Sequence, residues 1–161
     1  MPLFTLGYEG LDLDTFVQIL LDNGVECLLD VRQRPQSRKR GFSKTALANA
    51  CAENGIGYRH LAVFGCPLSI RNAYREDGNW ENYTAAYLEH LESSELKQAV
   101  ASLAMTAWDE RYCLMCFEAD ENYCHRLFVA RAVETQGGPD VVNLNRSSML
   151  SELSELALAG K

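Results

Sequence analysis

An alternation of two periodicities constrains this chain more than any other feature. Short apolar runs at 3–8, 26–32, 56–61, 112–118 and 141–144 have the length of buried strands, and the stretches between them carry apolar residues at helical spacing. In "DLDTFVQILLDNG" Phe16, Ile19 and Leu20 share one helix face, acids open the segment and Gly24 closes it. "FSKTALANACAENG" reads the same way, with Ser43 as an N-cap whose hydroxyl can accept from first-turn amides, Leu47, Ala50 and Cys51 facing inward, and Gly55 at the stop. "WENYTAAYLEHLES", "ELKQAVASLAM" and "CHRLFVARAVETQGG" predict further helices, and "SSMLSELSELALAG" predicts a closing one. Only 62–79 lacks a regular period; its aromatic and apolar residues predict a long ordered loop.

Strands that alternate with helices predict an α/β fold: a single domain over 1–161 with a mainly parallel five-stranded sheet and helices on both faces, layered in the Rossmann manner. The length fits one core, and no repeat, linker or low-complexity segment divides it. In such sheets ligands sit beyond the carboxyl ends of the strands, near the point where strand order reverses. Those ends are Gly7-Tyr8-Glu9, Asp30-Val31-Arg32, the region of His60, and Cys116-Phe117-Glu118, so polar chemistry is expected to converge at one edge.

Composition narrows the classes. No window approaches the roughly 18 apolar residues of a membrane span. "MPLFTLGYEG" has neither the basic region nor the apolar core of a signal peptide, so a cytoplasmic protein without a membrane partner is expected. Six cysteines in that setting read as thiols, with Cys27 and Cys51 as plain core. A net charge of −7 argues against coating nucleic acid by bulk charge. "RQRPQSRKR" (32–40) nevertheless holds five basic residues and no acid, which marks a local anion site or a solvated turn.

"CLMCFEADENYCHR" (113–126) permits several chemistries. Cys113 and Cys116 have C-x-x-C spacing, but three steps along a strand point the thiols to opposite faces, which disfavours a disulfide. Cys116, Cys124 and His125, with Cys66 as a fourth, could ligate zinc; on a helix, however, Cys124 and His125 would point about 100° apart, so no metal is expected. A helix beginning near Cys124 offers free amides and a partial positive charge, with Arg126 in its first turn and Arg32 near the adjoining strand end. Arginine forks suit phosphate oxygens. Cys124 there is a candidate nucleophile, Glu118 and Asp30 are candidate bases or arginine orienters, and His125 is a candidate proton shuttle. The competing reading pairs Arg32 and Arg126 with Asp30 and Glu118 as structural ion pairs.

"TLGYEG", "LLDVRQRPQSRKRGFSK", "GIGYRHLAVFGCP" and "CLMCFEADENYCHR", in that order, resemble the motif blocks of the domain of unknown function 488 family, over roughly 4–145. The resemblance implies a fold and motif positions but no reaction. The expected activity is therefore binding of, and action on, a phosphate-bearing small molecule or a nucleic-acid end. Catalytic candidates are Asp30, Glu118, Cys124 and His125; ligand-binding candidates are Tyr8, Arg32, Ser37, Arg38, Cys116 and Arg126. The alternatives are a non-enzymatic nucleic-acid-binding module, using the basic loop with Tyr58, Tyr74 and Trp80, or an interaction protein whose polar edge is an ion-pair network. The residues name no cofactor and no oligomeric state.

Overall fold

The computed structural model describes residues 1–149. Among these, strands β1 (Leu3–Gly7), β2 (Cys27–Asp30), β3 (Gly57–His60), β4 (Tyr112–Cys116) and β5 (Val141–Asn143) form one sheet in the order β3-β2-β4-β1-β5, every pair parallel. Helices α1 (Leu13–Asp22), α2 (Lys44–Glu53), α3 (Leu68–Asp77), α4 (Trp80–Leu91), α5 (Ser94–Thr106) and α6 (His125–Thr135) complete a single α/β domain. No helix among the described residues is long and apolar enough to cross a membrane.

Strand parity sorts the core into two layers, because successive side chains point to opposite faces. Leu29, Leu114 and Cys116 pack with Tyr87 of α4, Val100 of α5 and Val129 of α6. Leu28, Cys113 and Met115 pack on the other face with Phe16 and Ile19 of α1 and Leu47 of α2. Both faces are thus covered, which is why β1, β2 and β4 read as continuous apolar runs rather than alternating ones. Cys113 and Cys116 fall in different layers, and all six cysteines are free and buried.

The covering also creates the cleft. Strand β4 lies between β2 and β1. The chain leaving β4 enters α6 on one face, whereas the chains leaving β2 and β1 enter α2 and α1 on the other. Neighbouring connections that diverge in this way leave a crevice at the carboxyl ends between them. Two glycines permit the close passes around it: a Cβ on Gly7 would overlap the Glu118 carbonyl oxygen, and one on Gly65 would overlap the Gln33 Cα. Neither position has room for a methyl group.

Two expectations are corrected. Segment 62–79 is not a loop but a 3₁₀ turn (Ala62–Phe64) followed by α3. Helix α3 buries none of its residues fully, and only Ile70 and Tyr74 rest half-buried on the core, so its apolar stripe is short; its bounds are Pro67 at the N-cap and Gly78, left-handed at φ 61°, at the C-cap. Ser43 sits at the N-cap of α2 with extended backbone, yet its hydroxyl makes no capping bond. Arg146–Ser148 form a 3₁₀ turn capped by Asn145, and the closing helix expected over 147–160 otherwise lies outside the described residues.

Candidate functional site

A cleft of about 330 Å³ opens at the carboxyl ends of the strands. Tyr8 after β1, Arg32 after β2, and Cys116 and Glu118 at the end of β4 reach it, together with His125 at the start of α6. Asp30 and Glu118 therefore stand at the same end of the sheet, as parallel strands require.

The β2 side is a closed polar network. Asp30 is fully buried and accepts from the Arg32 amide (3.1 Å), from Arg32 Nε (2.9 Å) and Nη2 (2.7 Å), and from the Tyr58 hydroxyl. Arg32 Nη1 donates to the Phe42 carbonyl (2.7 Å) and to the Tyr8 hydroxyl (3.4 Å). Stacking of Tyr8 on Phe42, with ring centroids 4.6 Å apart, fixes the remaining partner. Asp30 is thus the orienter of Arg32 and does not reach the cleft, while Arg32 shows the cleft only its outer edge.

The β4 side is different in kind. Cys124 caps α6 with extended backbone (φ −136°, ψ 138°), so it lies outside the helix and the 100° separation from His125 does not apply. The Sγ atoms of Cys116 and Cys124 and a ring nitrogen of His125 lie within 4.8 Å of one another, with Cys116 Sγ 3.9 Å from His125 Nδ1. His125 Nε2 is 2.9 Å from the Val31 carbonyl. A carbonyl only accepts, so Nε2 carries the proton and donates. Burial opposes ionisation of Cys124, but the Cys116 thiol, His125 and Arg126 outweigh it and hold the Cys124 pKa well below that of an ordinary thiol. Cys116 is pushed the opposite way, first by its contact with Cys124 and then by burial. Burial also disfavours charged His125, yet Cys124 and the Val31 carbonyl raise its pKa. Burial, followed by the nearby Cys124, pushes Glu118 up to about 7, and its Oε2 is buried with no hydrogen-bond partner among the described residues.

Arg126 takes a third course. It is wholly buried, Nη1 donates to the Glu118 carbonyl and Nη2 to the Ala119 carbonyl (3.4 Å), so it holds the loop after β4 from behind and does not line the cleft. Neither Ser37 nor Arg38 lines it: the Ser37 hydroxyl accepts from the Lys39 amide at 3.1 Å, and Arg38 projects into solvent. Lys39 folds back, donating to the Tyr8 carbonyl (3.1 Å). From the basic loop, Arg34 reaches the cleft.

The opposite wall comes partly from the segment expected to be a loop and partly from the helix expected after it. Arg71, Tyr74 and Arg75 of α3 and Trp80 and Tyr83 of α4 line it, with Tyr123 across the mouth. Trp80 stacks on Tyr83 (4.4 Å, 14°) and lies 5.6 Å from both Tyr74 and Tyr123. Arg71 Nη2 donates to Gln33 Oε1 at 3.2 Å, while its Nε is buried without a partner among the described residues. Arg71 and Arg75 were missed in the sequence, although their i, i+4 spacing between Pro67 and Gly78 was a usable signal.

A family model described as "Domain of unknown function DUF488" matches residues 12–133, which include the residues lining the cleft except Tyr8. No curated protein and no solved structure matches the chain.

Proposed function

Because the chain belongs to the DUF488 family, whose description assigns no reaction, we propose its function from the cleft: it binds, and acts on, a phosphate-bearing ligand, a nucleotide or a nucleic-acid end. The observation that supports this reading is Arg71. A buried guanidinium N–H without a partner costs about 1–3 kcal/mol unless an acceptor reaches it, and Arg71 Nε faces this situation in a cleft also lined by Arg34 and Arg75. Arginine forks match phosphate oxygens. The aromatic wall of Tyr74, Trp80 and Tyr123 supplies faces for a base, an interaction typically worth about 1–3 kcal/mol. The volume of about 330 Å³ fits a small ligand rather than a duplex. On this reading the phosphate enters between Arg34, Arg71 and Arg75, and Cys116, His125 and Glu118 meet its inner end.

Thermal melts with a panel of nucleotides and short oligonucleotides test the proposal. At least one phosphate-bearing ligand is expected to raise the midpoint. Arg71→Ala is expected to weaken that ligand about tenfold to hundredfold, corresponding to about 1.5–3 kcal/mol for a charge-assisted hydrogen bond. Melting of the parent protein unmoved by every member of the panel would sink the reading.

A further inference from the structure

We propose that Cys116, Cys124 and His125 form a three-ligand site for a zinc-class divalent ion whose fourth position opens into the cleft. The donors are of the right kind, since two thiols and an imidazole are the Cys₂His set that suits zinc and leaves one coordination position for water or a substrate. Their placement is close to what the ion needs. Zinc–sulfur bonds of about 2.3 Å and zinc–nitrogen bonds of about 2.0 Å in a tetrahedron put donor atoms roughly 3.5–3.8 Å apart. The separation between Cys116 Sγ and His125 Nδ1 is already 3.9 Å, and no pair in the trio exceeds 4.8 Å. Closure therefore needs side-chain adjustments of about 1 Å or less, without movement of β4 or α6.

The histidine is also in the correct tautomer. With its Nε2 proton donated to the Val31 carbonyl, the lone pair of a neutral ring is left on Nδ1, the atom that faces Cys116. Metal-ligating histidines characteristically anchor their other nitrogen in this way. The charge balances too: two thiolates neutralise a divalent ion, so the filled site adds no net charge to the interior. Cys116 and His125 both line the cleft, so the open position faces the space where a ligand enters. Glu118 lines the same wall with an unpartnered Oε2, which makes it the natural acceptor for a proton of water held at that position. Cys66 also borders the cleft but stands outside the ligand set. The site is independent of the anion reading, because a protein that binds no nucleotide could still hold the ion.

The test uses the reduced, chelator-stripped full chain titrated with Co²⁺ alone. One equivalent is expected to produce a thiolate-to-cobalt charge-transfer band and the strong visible bands of a tetrahedral ion, and Zn²⁺ should bleach both. Cys124→Ser is expected to weaken binding by more than about 100-fold, beyond the 10–100-fold typical of losing a group outside the coordination sphere. Cys66→Ser should retain the spectrum. The parent titration reads the site even if a variant fails to fold. A folded parent without the charge-transfer band, a band undiminished in folded Cys124→Ser, or a band lost in folded Cys66→Ser would each overturn the proposal.

Discussion

The carboxyl ends of β2 and β4 are adjacent, each carries an acid, buried at Asp30 and half-buried at Glu118, and each has an arginine nearby, yet they have become opposite things. At β2, every oxygen of Asp30 is committed and the arginine beside it is locked by further groups. At β4, the arginine bonds backbone carbonyls instead of the acid, leaving Glu118 Oε2 and, across the cleft, Arg71 Nε without partners among the described residues. Residue type does not separate a scaffold from a site here; an unsatisfied group that faces the cleft does, as at Glu118 and Arg71, whereas the Arg126 Nε, also without a partner among the described residues, lies behind it. A saturated network stabilises the edge, whereas an unsaturated one keeps free energy in reserve for a ligand.

The largest expected effect attacks the saturated side. Asp30→Ala leaves Arg32 buried and unpaired, and should lower stability by about 3–5 kcal/mol in urea unfolding. Glu118→Gln, which keeps the shape and removes a carboxylate with one orphaned oxygen, should change stability by less than about 1 kcal/mol. Equal losses in the two variants would erase the distinction between the ends.

A smaller loss should follow from Gly7→Ala. The new Cβ would overlap the Glu118 carbonyl, which Arg126 also holds, so the β4 end must shift. Overpacking of this kind costs about 1–3 kcal/mol, measurable by the same unfolding. The shift should also displace Glu118 relative to Cys116, which a crystal structure of the variant would record. Unchanged stability would show that the two backbones do not depend on close approach.

Smaller still is the expected cost of Arg71→Ala in the ligand-free protein. Its side-chain hydrogen bond to Gln33 is on a part-buried surface, so stability should fall by no more than about 1 kcal/mol even as ligand affinity drops. A loss as large as that of Asp30→Ala would mean that the α3 wall is scaffold as well.

Much of this architecture could be read in the chain before the structure. Strand parity placed Cys113 and Cys116 on opposite faces, and the alternation of strands with helices put the polar strand ends at one edge. What could not be read has physical causes. Helix α3 buries none of its residues fully and rests on the core only through half-buried Ile70 and Tyr74, too short an apolar stripe among charged residues to mark a helix, and Arg71 and Arg75 went with it. Whether Cys124 is the first residue of a helix or its extended cap decides if its thiol meets His125, and that is a matter of local backbone torsion. Arg126 resembled an anion ligand by position, but nothing local shows that two carbonyls of the preceding loop would claim it.

The smallest effect discriminates between the two classes of phosphate-bearing ligand. Arg38 is exposed and stands outside the cleft, so Arg38→Ala should leave stability within about 0.5 kcal/mol. A mononucleotide held between Arg34, Arg71 and Arg75 would not touch it, and its affinity should be the same in the variant. A strand whose end occupies the cleft has to leave along the surface, where the basic loop carries Arg38 and Arg40 in solvent. Removing one cation that pairs with a phosphate then lowers the slope of log affinity against log salt by about 0.7 for a single strand. Salt titrations of nucleotide and oligonucleotide binding, in parent and variant, separate the cases. A reduced slope confined to the oligonucleotide extends the site along the loop. Slopes unchanged by the substitution for both ligands restrict it to the cleft between the two unlike strand ends.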